Sequence, residues 1–380
     1  MQSVIKKFFN YFGLVLFIFI FINIFISVSW KIYSKFNKKE NAYNKTQLEL
    51  LNLSKTDSDY LFKETWIDRR YVYDQFTEYR EKEKENGKFV NISRNEGRQV
   101  INNINCKKNF LFYGSSMTFG YNVTDSQTFS QLFKNILDEK DIFGCVYNYG
   151  RAGYDSTREN ILFINHIAEN KINKGDFVFF LNVAGEQGKK RGLNTDYLTY
   201  AQNLAIATNY SKFIGIFKFF WDSLPLNQFL KRIKEKFISN NQDLEFENQK
   251  KNSLNEIVSV FEKNIKIRNN ICEAFKLNCY TFLHPQSGLH GIYFKNFNKS
   301  NYPQTGIYNF EDEKIKEMIK QRSLKYSRML KINGIIDLGN AFKDAKKITY
   351  IDRNHYSPYG HLLIAKAIFK LIEKDLLVGN

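Results

Sequence analysis

Several residue types are scarce in this chain of 380 residues, and each scarcity excludes something. Four prolines and 20 glycines exclude a collagen-like or proline-rich chain. Four cysteines are too few for a small disulfide-stapled scaffold, and a chain this long does not need one. They are Cys106, Cys145, Cys272 and Cys279, and none stands in the CxxC spacing of a zinc or redox site. The five histidines form no metal-ligand spacing either, and no Walker or dinucleotide glycine pattern occurs, so no metal or cofactor is expected. Acidic residues are outnumbered, 39 against 56 Lys and Arg, for a net charge of +17. Nucleic acid, an anionic membrane or an acidic glycan would each suit that charge. A coding sequence rich in Lys, Asn, Ile, Phe and Tyr would produce it with no partner at all. No recognition motif or regular basic–aromatic stripe supports nucleic acid. Hydrophobic residues at 43% and aromatics at 16% exclude a solvated, disordered polymer.

Residues 8–30 carry no charge and include Leu14-Val15-Leu16-Phe17-Ile18-Phe19-Ile20-Phe21-Ile22. At roughly 1.5 Å per residue, this run spans a hydrocarbon core of about 30 Å. No face of it is polar, which argues against a buried core helix. Ser27-Val28-Ser29 offers a cleavage site, but the run is longer than a signal peptide's apolar core, so an uncleaved anchor is expected. Lys6 and Lys7 precede the span, and Lys31, Lys35, Lys38 and Lys39 follow it, so charge leaves the orientation open. The even number of cysteines fits two disulfides, Cys106–Cys145 and Cys272–Cys279, and an oxidising compartment; four buried thiols fit equally well.

Beyond residue 108, short apolar runs alternate with helical segments. The runs are Phe110-Leu111-Phe112-Tyr113, Val146-Tyr147-Asn148-Tyr149, Phe177-Val178-Phe179-Phe180-Leu181, Cys279-Tyr280-Thr281-Phe282-Leu283 and Ile335-Ile336-Asp337-Leu338. Apolar runs of this length predict parallel strands buried on both faces, hence a three-layer α/β domain of about five strands. Its chemistry belongs where the strands end. The expected organisation is an anchor at 1–40, an extension at 41–107 and an α/β domain at 108–380. The last is interrupted by a helical insertion at about 195–270, rich in Phe and carrying the bases Lys231, Arg232, Lys234 and Lys236. The charge run at 80–88 reads as a solvated helix end or loop.

Two segments carry chemistry. The first predicted strand runs into Gly114-Ser115-Ser116-Met117-Thr118, which puts a serine between strand and helix with its N–H available to an oxyanion. Near the C-terminus, Asp352 and His355 stand three apart before the last helix. That spacing lets a carboxylate hold one imidazole nitrogen while the other takes a proton from a serine. Asp352 as a mere helix cap is the competing explanation.

Together these segments resemble the SGNH (GDSL-type) hydrolases, specifically membrane-anchored envelope members. Gly114-Ser115-Ser116-Met117-Thr118 is similar to the Gly-Asp-Ser-x-Thr block, with Ser115 in place of the usual Asp. Asn148-Tyr149-Gly150-Arg151-Ala152-Gly153 is similar to the second block, and Asp352-Arg353-Asn354-His355 to the Asp-x-x-His block. Residues 88–98 resemble the strand that precedes the domain in membrane-linked members. The resemblance implies a flavodoxin-like SGNH fold, a Ser116–His355–Asp352 triad, and oxyanion donors at Ser116 and Gly153. The third block departs from the family. Leu181-Asn182-Val183-Ala184-Gly185-Glu186-Gln187 puts Gly185 where an oxyanion-hole Asn belongs, which leaves Asn182 as the nearest amide. His284 and Gln187, near strand ends, are candidate substrate contacts. His166 reads as structural, and His290 and His361 have no evident partner. The implied function is removal of small acyl groups, O-acetyl above all, from an envelope glycan outside the cytoplasm. Acyl transfer to a sugar hydroxyl and a non-catalytic role on the same fold remain open.

Overall fold

The computed structural model describes residues 2–36, 43, 45–103, 106–182, 221, 224–230, 245–291, 313–352 and 354–378. The chain divides into two compact units. One comprises Met1–Glu40 and Gly192–Asn252, the other Asn41–Arg191 and Ser253–Asn380.

The first unit contains helix α1 (Gln2–Phe36). Its Asn10–Trp30 stretch has a mean hydropathy of 2.6 and is long and apolar enough to cross a membrane. Asn23, the polar interruption, donates to the Phe19 carbonyl at 2.9 Å and accepts the Leu226 N–H at 3.2 Å. Both groups are therefore satisfied within an apolar stretch. Of the expected insertion, residues 195–220 and 231–244 lie outside the described residues, and with them the basic stretch Lys231 to Lys236.

The second unit is built on a seven-stranded sheet. A two-stranded hairpin, β1 (Tyr71–Asp74) and β2 (Glu78–Glu81), stands apart from it. The sheet strands are β3 (Ile92–Ser93), β4 (Gly97–Arg98), β5 (Lys108–Gly114), β6 (Gly144–Gly150), β7 (Phe177–Asn182), β8 (Asn278–Leu283) and β9 (Ile335–Asp337), in the order β3-β4-β6-β5-β7-β8-β9. The last five in that order are all parallel. Counting from β5, their order is 2-1-3-4-5, the flavodoxin-like doubly wound arrangement, whose switch point lies between β5 and β7. The five parallel strands coincide with the five apolar runs.

The strands are apolar throughout because helices cover both faces. On one side Phe110, Phe112, Phe179 and Phe282 meet α5 (Phe129–Glu139) and α9 (Pro358–Val378) through Phe133, Ile364 and Ile368. On the other, Tyr113 and Phe180 pack on Phe163 of α6 (Ser156–Ala168). Leu283 there joins Phe261 and Ile265 of α7 (Glu245–Phe275) and Tyr326 of α8 (Glu313–Met329). Residues of α7 from Ser253 onward thus belong to the α/β unit, not to a separate insertion.

The chain before the sheet forms α2 (Lys45–Leu51), α3 (Lys55–Phe62) and a π-helical turn (Lys63–Ile67). Leu51, Leu61 and Phe62 pack with Phe119, Tyr121 and Ile351, close to the ends of the central strands. The charge run at 80–88 departs from expectation. Its first residues complete β2, and Glu81 is fully buried because Arg151 supplies a counter-charge, 3.4 Å away. The structure joins Cys106 to Cys145 and Cys272 to Cys279.

Candidate active site

Strand β5 ends at Gly114, flanked in register by Gly150 of β6 and Leu181 of β7. The chain turns directly into the single-turn helix α4 (Ser116–Phe119), which lays Ser116 over the switch point. A side chain at position 150 would meet the Phe119 backbone nitrogen at 2.3 Å, so only glycine lets α4 lie this close to β6.

The second component is the loop before α9. Ile351 donates its N–H to the His355 carbonyl at 2.9 Å, and Ser357 donates its own to the Thr349 carbonyl at 2.9 Å. Ser357 caps α9, its hydroxyl oxygen accepting the Gly360 N–H, and Pro358 opens the helix. Between these ties Asp352 folds onto its own backbone. Its Oδ1 accepts the N–H groups of Asn354 and His355, each at 2.7 Å, in an Asx turn. Oδ2 is 2.7 Å from His355 Nδ1. On the far side of the ring, His355 Nε2 lies 3.0 Å from Ser116 Oγ. A sequence separation of 239 between Ser116 and His355 is thus closed by one hydrogen bond, with Asp352 buried behind the pair. An ionised Asp352 accepts from Nδ1–H and leaves Nε2 unprotonated toward the serine, the arrangement proton removal requires.

Gly153 lies just beyond β6, in the loop opened by Arg151, whose N–H bonds to the Gly114 carbonyl at 2.9 Å. Its φ of +71° favours glycine. The hairpin braces this loop. Tyr79 donates its hydroxyl to the Ala152 carbonyl at 2.7 Å, and Glu81 accepts the Ala152 N–H at 2.8 Å.

Two expected site residues are placed elsewhere. Asn182 ends β7 but faces the opposite helical layer. Its Nδ2 donates to Glu159 at 2.5 Å and its Oδ1 accepts from Arg268 at 2.7 Å. Arg268 is fully buried and also pairs with Glu159 at 2.6 Å. Burial pushes the Glu159 carboxyl up to about 7 against the pull of that guanidinium. Asn182 is therefore committed to a buried polar cluster and is not an oxyanion donor in this arrangement. His284 is fully buried and touches Tyr356 Oη at 2.8 Å through Nδ1 and Thr118 Oγ1 at 3.3 Å through Nε2. Burial pushes it down to about 3, so it is a neutral strut behind the site and not a substrate contact. Gly185 and Gln187 lie outside the described residues. His166 bonds to Tyr113 Oη at 2.8 Å. His290 accepts the Gln286 N–H at 3.0 Å and His361 the Phe129 N–H at 3.1 Å, partners no sequence spacing reveals.

Residues without a sequence signal complete the surroundings. Asn122 donates to Asp352 Oδ2 at 2.6 Å. Trp66 and Tyr121 flank the His355 ring, with centroids 6.0 and 5.1 Å away. The Arg69 guanidinium lies 4.4 Å from the centre of the Tyr121 ring. Among the described residues, no group of three or more His, Cys, Asp or Glu is placed to hold a metal ion.

No protein-family model matches the sequence, and no curated protein sequence matches it. Among solved structures, the chain is similar to an acetyl xylan esterase from Geobacillus stearothermophilus (14% identity, TM-score 0.34, covering 70% of this chain and 95% of that one). It is similar to a lipase/acylhydrolase from Enterococcus faecalis (12%, 0.36, 70% and 96%). A member of the lipolytic G-D-S-L family from Veillonella parvula is a third (12%, 0.34, 70% and 98%).

Proposed function

We propose that this protein is a serine esterase of the SGNH type. More particularly, it is a membrane-anchored enzyme that removes small acyl groups, O-acetyl above all, from glycans of the cell envelope. The observation that carries the reading is the hydrogen-bonded line from Ser116 Oγ through His355 to Asp352, at 3.0 and 2.7 Å. Three side chains from two distant segments meet in the order a nucleophile, a base and its orienting carboxylate require. That completeness favours catalysis over a non-catalytic role.

In this reading His355 Nε2 takes the Ser116 proton as Oγ attacks the ester carbonyl. The carbonyl π electrons move to oxygen, and the backbone N–H groups of Ser116 and Gly153 receive that oxyanion. Collapse of the intermediate expels the sugar hydroxyl, protonated by His355, and leaves an acyl-serine. Water, deprotonated by His355, attacks the acyl carbonyl and releases the acid and Ser116. The apolar stretch of α1 supports anchoring, and the two disulfides support an oxidising compartment, outside the cytoplasm. The acylated glycan is the partner this reading requires.

The full chain in detergent, incubated with an O-acetylated polysaccharide, is expected to release acetate, and Ser116→Ala is expected not to. Acetate release by Ser116→Ala at the wild-type rate would refute the reading. Acetate transfer to an added oligosaccharide, in place of release, would make the enzyme a transferase with the same acyl-enzyme.

A further inference from the structure

We propose that Asn122 is a positioning residue that sets the Asp352 carboxylate, and that Tyr43 and Trp66, upstream of the sheet, hold Asn122 in the orientation this requires. The inference rests on the esterase reading, since it assigns a role within that triad.

Asn122 is fully buried in the loop after α4, with φ of +66°, a left-handed conformation that Asn tolerates better than most residues. Its amide is engaged at both ends. Oδ1 accepts from Trp66 Nε1 at 2.5 Å and from Tyr43 Oη at 2.9 Å. Nδ2 donates to Asp352 Oδ2 at 2.6 Å. An indole N–H can only donate, so Trp66 selects one of the two amide orientations. The flipped amide would set N–H against N–H at Trp66 and an oxygen against the carboxylate at Asp352.

Asp352 thereby receives four hydrogen bonds. Two come from its own Asx turn, one from His355 and one from Asn122. The first three lie within one short loop and move together with it. Asn122 ties that loop to the turn following the Ser116 helix, so it fixes the base relative to the nucleophile. It bridges 230 residues to Asp352, 79 back to Tyr43 and 56 back to Trp66. Trp66 also packs against the His355 ring. The segment between α1 and the sheet is in this way built into the triad, rather than serving as a tether alone.

Two substitutions test this in the full chain in detergent. Asn122→Asp keeps the shape and the acceptor for Trp66 and Tyr43, but places an oxygen against Asp352. Trp66→Phe removes the donor that selects the amide orientation, together with one ring of the indole. A purely structural role is satisfied by the isosteric Asp; a positioning role is not. With p-nitrophenyl acetate, Asn122→Asp is expected to lower kcat roughly tenfold or more, within what a well-placed base supplies, with KM unchanged. The acidic limb of its kcat/KM profile should move to higher pH, because two adjacent carboxyl groups cannot both ionise freely. Trp66→Phe is expected to lower kcat less, again without changing KM. The two losses should not add, since both act through one amide. In protein labelled with 15N-histidine, the His355 Nδ1 proton resonance should shift in both variants. Wild-type kcat, pH profile and His355 resonance in both variants would overturn the proposal. Should Asn122→Asp fail to fold, unchanged kcat and resonance in Trp66→Phe alone would overturn it. Should the wild type show no Ser116-dependent turnover, the esterase reading fails, and the His355 resonance alone decides this inference.

Discussion

Glu81 accepts the Ala152 N–H at 2.8 Å, so a buried carboxylate from a hairpin outside the main sheet holds the loop that presents Gly153. The same carboxylate lies 3.4 Å from the Arg151 guanidinium. Glu81→Gln keeps an acceptor for Ala152, whereas Glu81→Ala removes it and strands Arg151. Glu81→Ala should cost about 3–5 kcal/mol of stability, as loss of one partner of a buried ion pair does. Its kcat should fall further than that of Glu81→Gln. Urea denaturation and ester kinetics on both variants check this, and equal kcat losses would contradict it.

Gly153→Ala should damage catalysis more than folding. Its φ of +71° disfavours a side chain, and a Cβ there would meet Tyr79 Oη at 3.0 Å. Relief of either strain moves the N–H that the proposed mechanism assigns to the oxyanion. Loss of one such donor costs roughly 10²–10³ in kcat, and that is the expected size, with KM little changed. Steady-state kinetics on p-nitrophenyl acetate measure it.

How much of the molecule is legible in its sequence depends on the range of each contact. The five parallel strands are legible because a parallel strand covered on both faces must be apolar along its whole length, as Phe177-Val178-Phe179-Phe180-Leu181 is. Ser116, Asp352 and His355 are legible because a strand-to-helix serine and an Asp three residues before a His are local patterns. Asn182 and His284 show the limit of such reading. Their strand-end positions were evident, but Asn182 turns away because Arg268 waits 86 residues downstream. His284 is walled off by Thr118 and Tyr356, 166 residues before it and 72 after it. Asn122, Trp66, Tyr43 and Glu81 act only through tertiary contacts, which no spacing encodes. The run at 80–88 reads as solvent-exposed because the charge of Glu81 suggests water, while its partner Arg151 lies 70 residues away.

Arg268 fastens α6, β7 and α7 through Glu159, Asn160, Asn182 and the Ser156 carbonyl. Arg268→Met leaves Glu159 buried without its counter-charge and should destabilise the protein by about 3–5 kcal/mol. Adding Glu159→Gln should recover part of that loss. Urea midpoints for the single and double variants decide the matter; a double variant no more stable than Arg268→Met would contradict the assignment.

Stability should fall steeply on mild acidification. Burial pushes His166, His284 and His361 down to about 3, so these rings protonate in the unfolded chain near 6.5 but stay neutral in the folded one. Each depressed value favours the folded state above 6.5, and that advantage is lost as pH falls. Glu159, pushed up to about 7, acts in the opposite sense between 4.5 and 7. These three rings, joined by His290, which burial also pushes down, outnumber the one raised carboxyl, so stability falls as the pH drops from 6 to 5. Glu159→Gln should steepen that fall. Urea titrations at pH 7, 6 and 5 measure both slopes.

Acylation of Ser116 tests the central claim most directly. The full chain is mixed briefly with p-nitrophenyl acetate, quenched in acid and digested, and the peptide containing residue 116 is weighed by mass spectrometry. The account predicts a mass gain of one acetyl group on Ser116 in the wild type. It predicts none there in His355→Ala, and no hydrolysis above background in Ser116→Ala. Wild-type turnover in Ser116→Ala, with no acetyl group on Ser116 of the wild type, would contradict it.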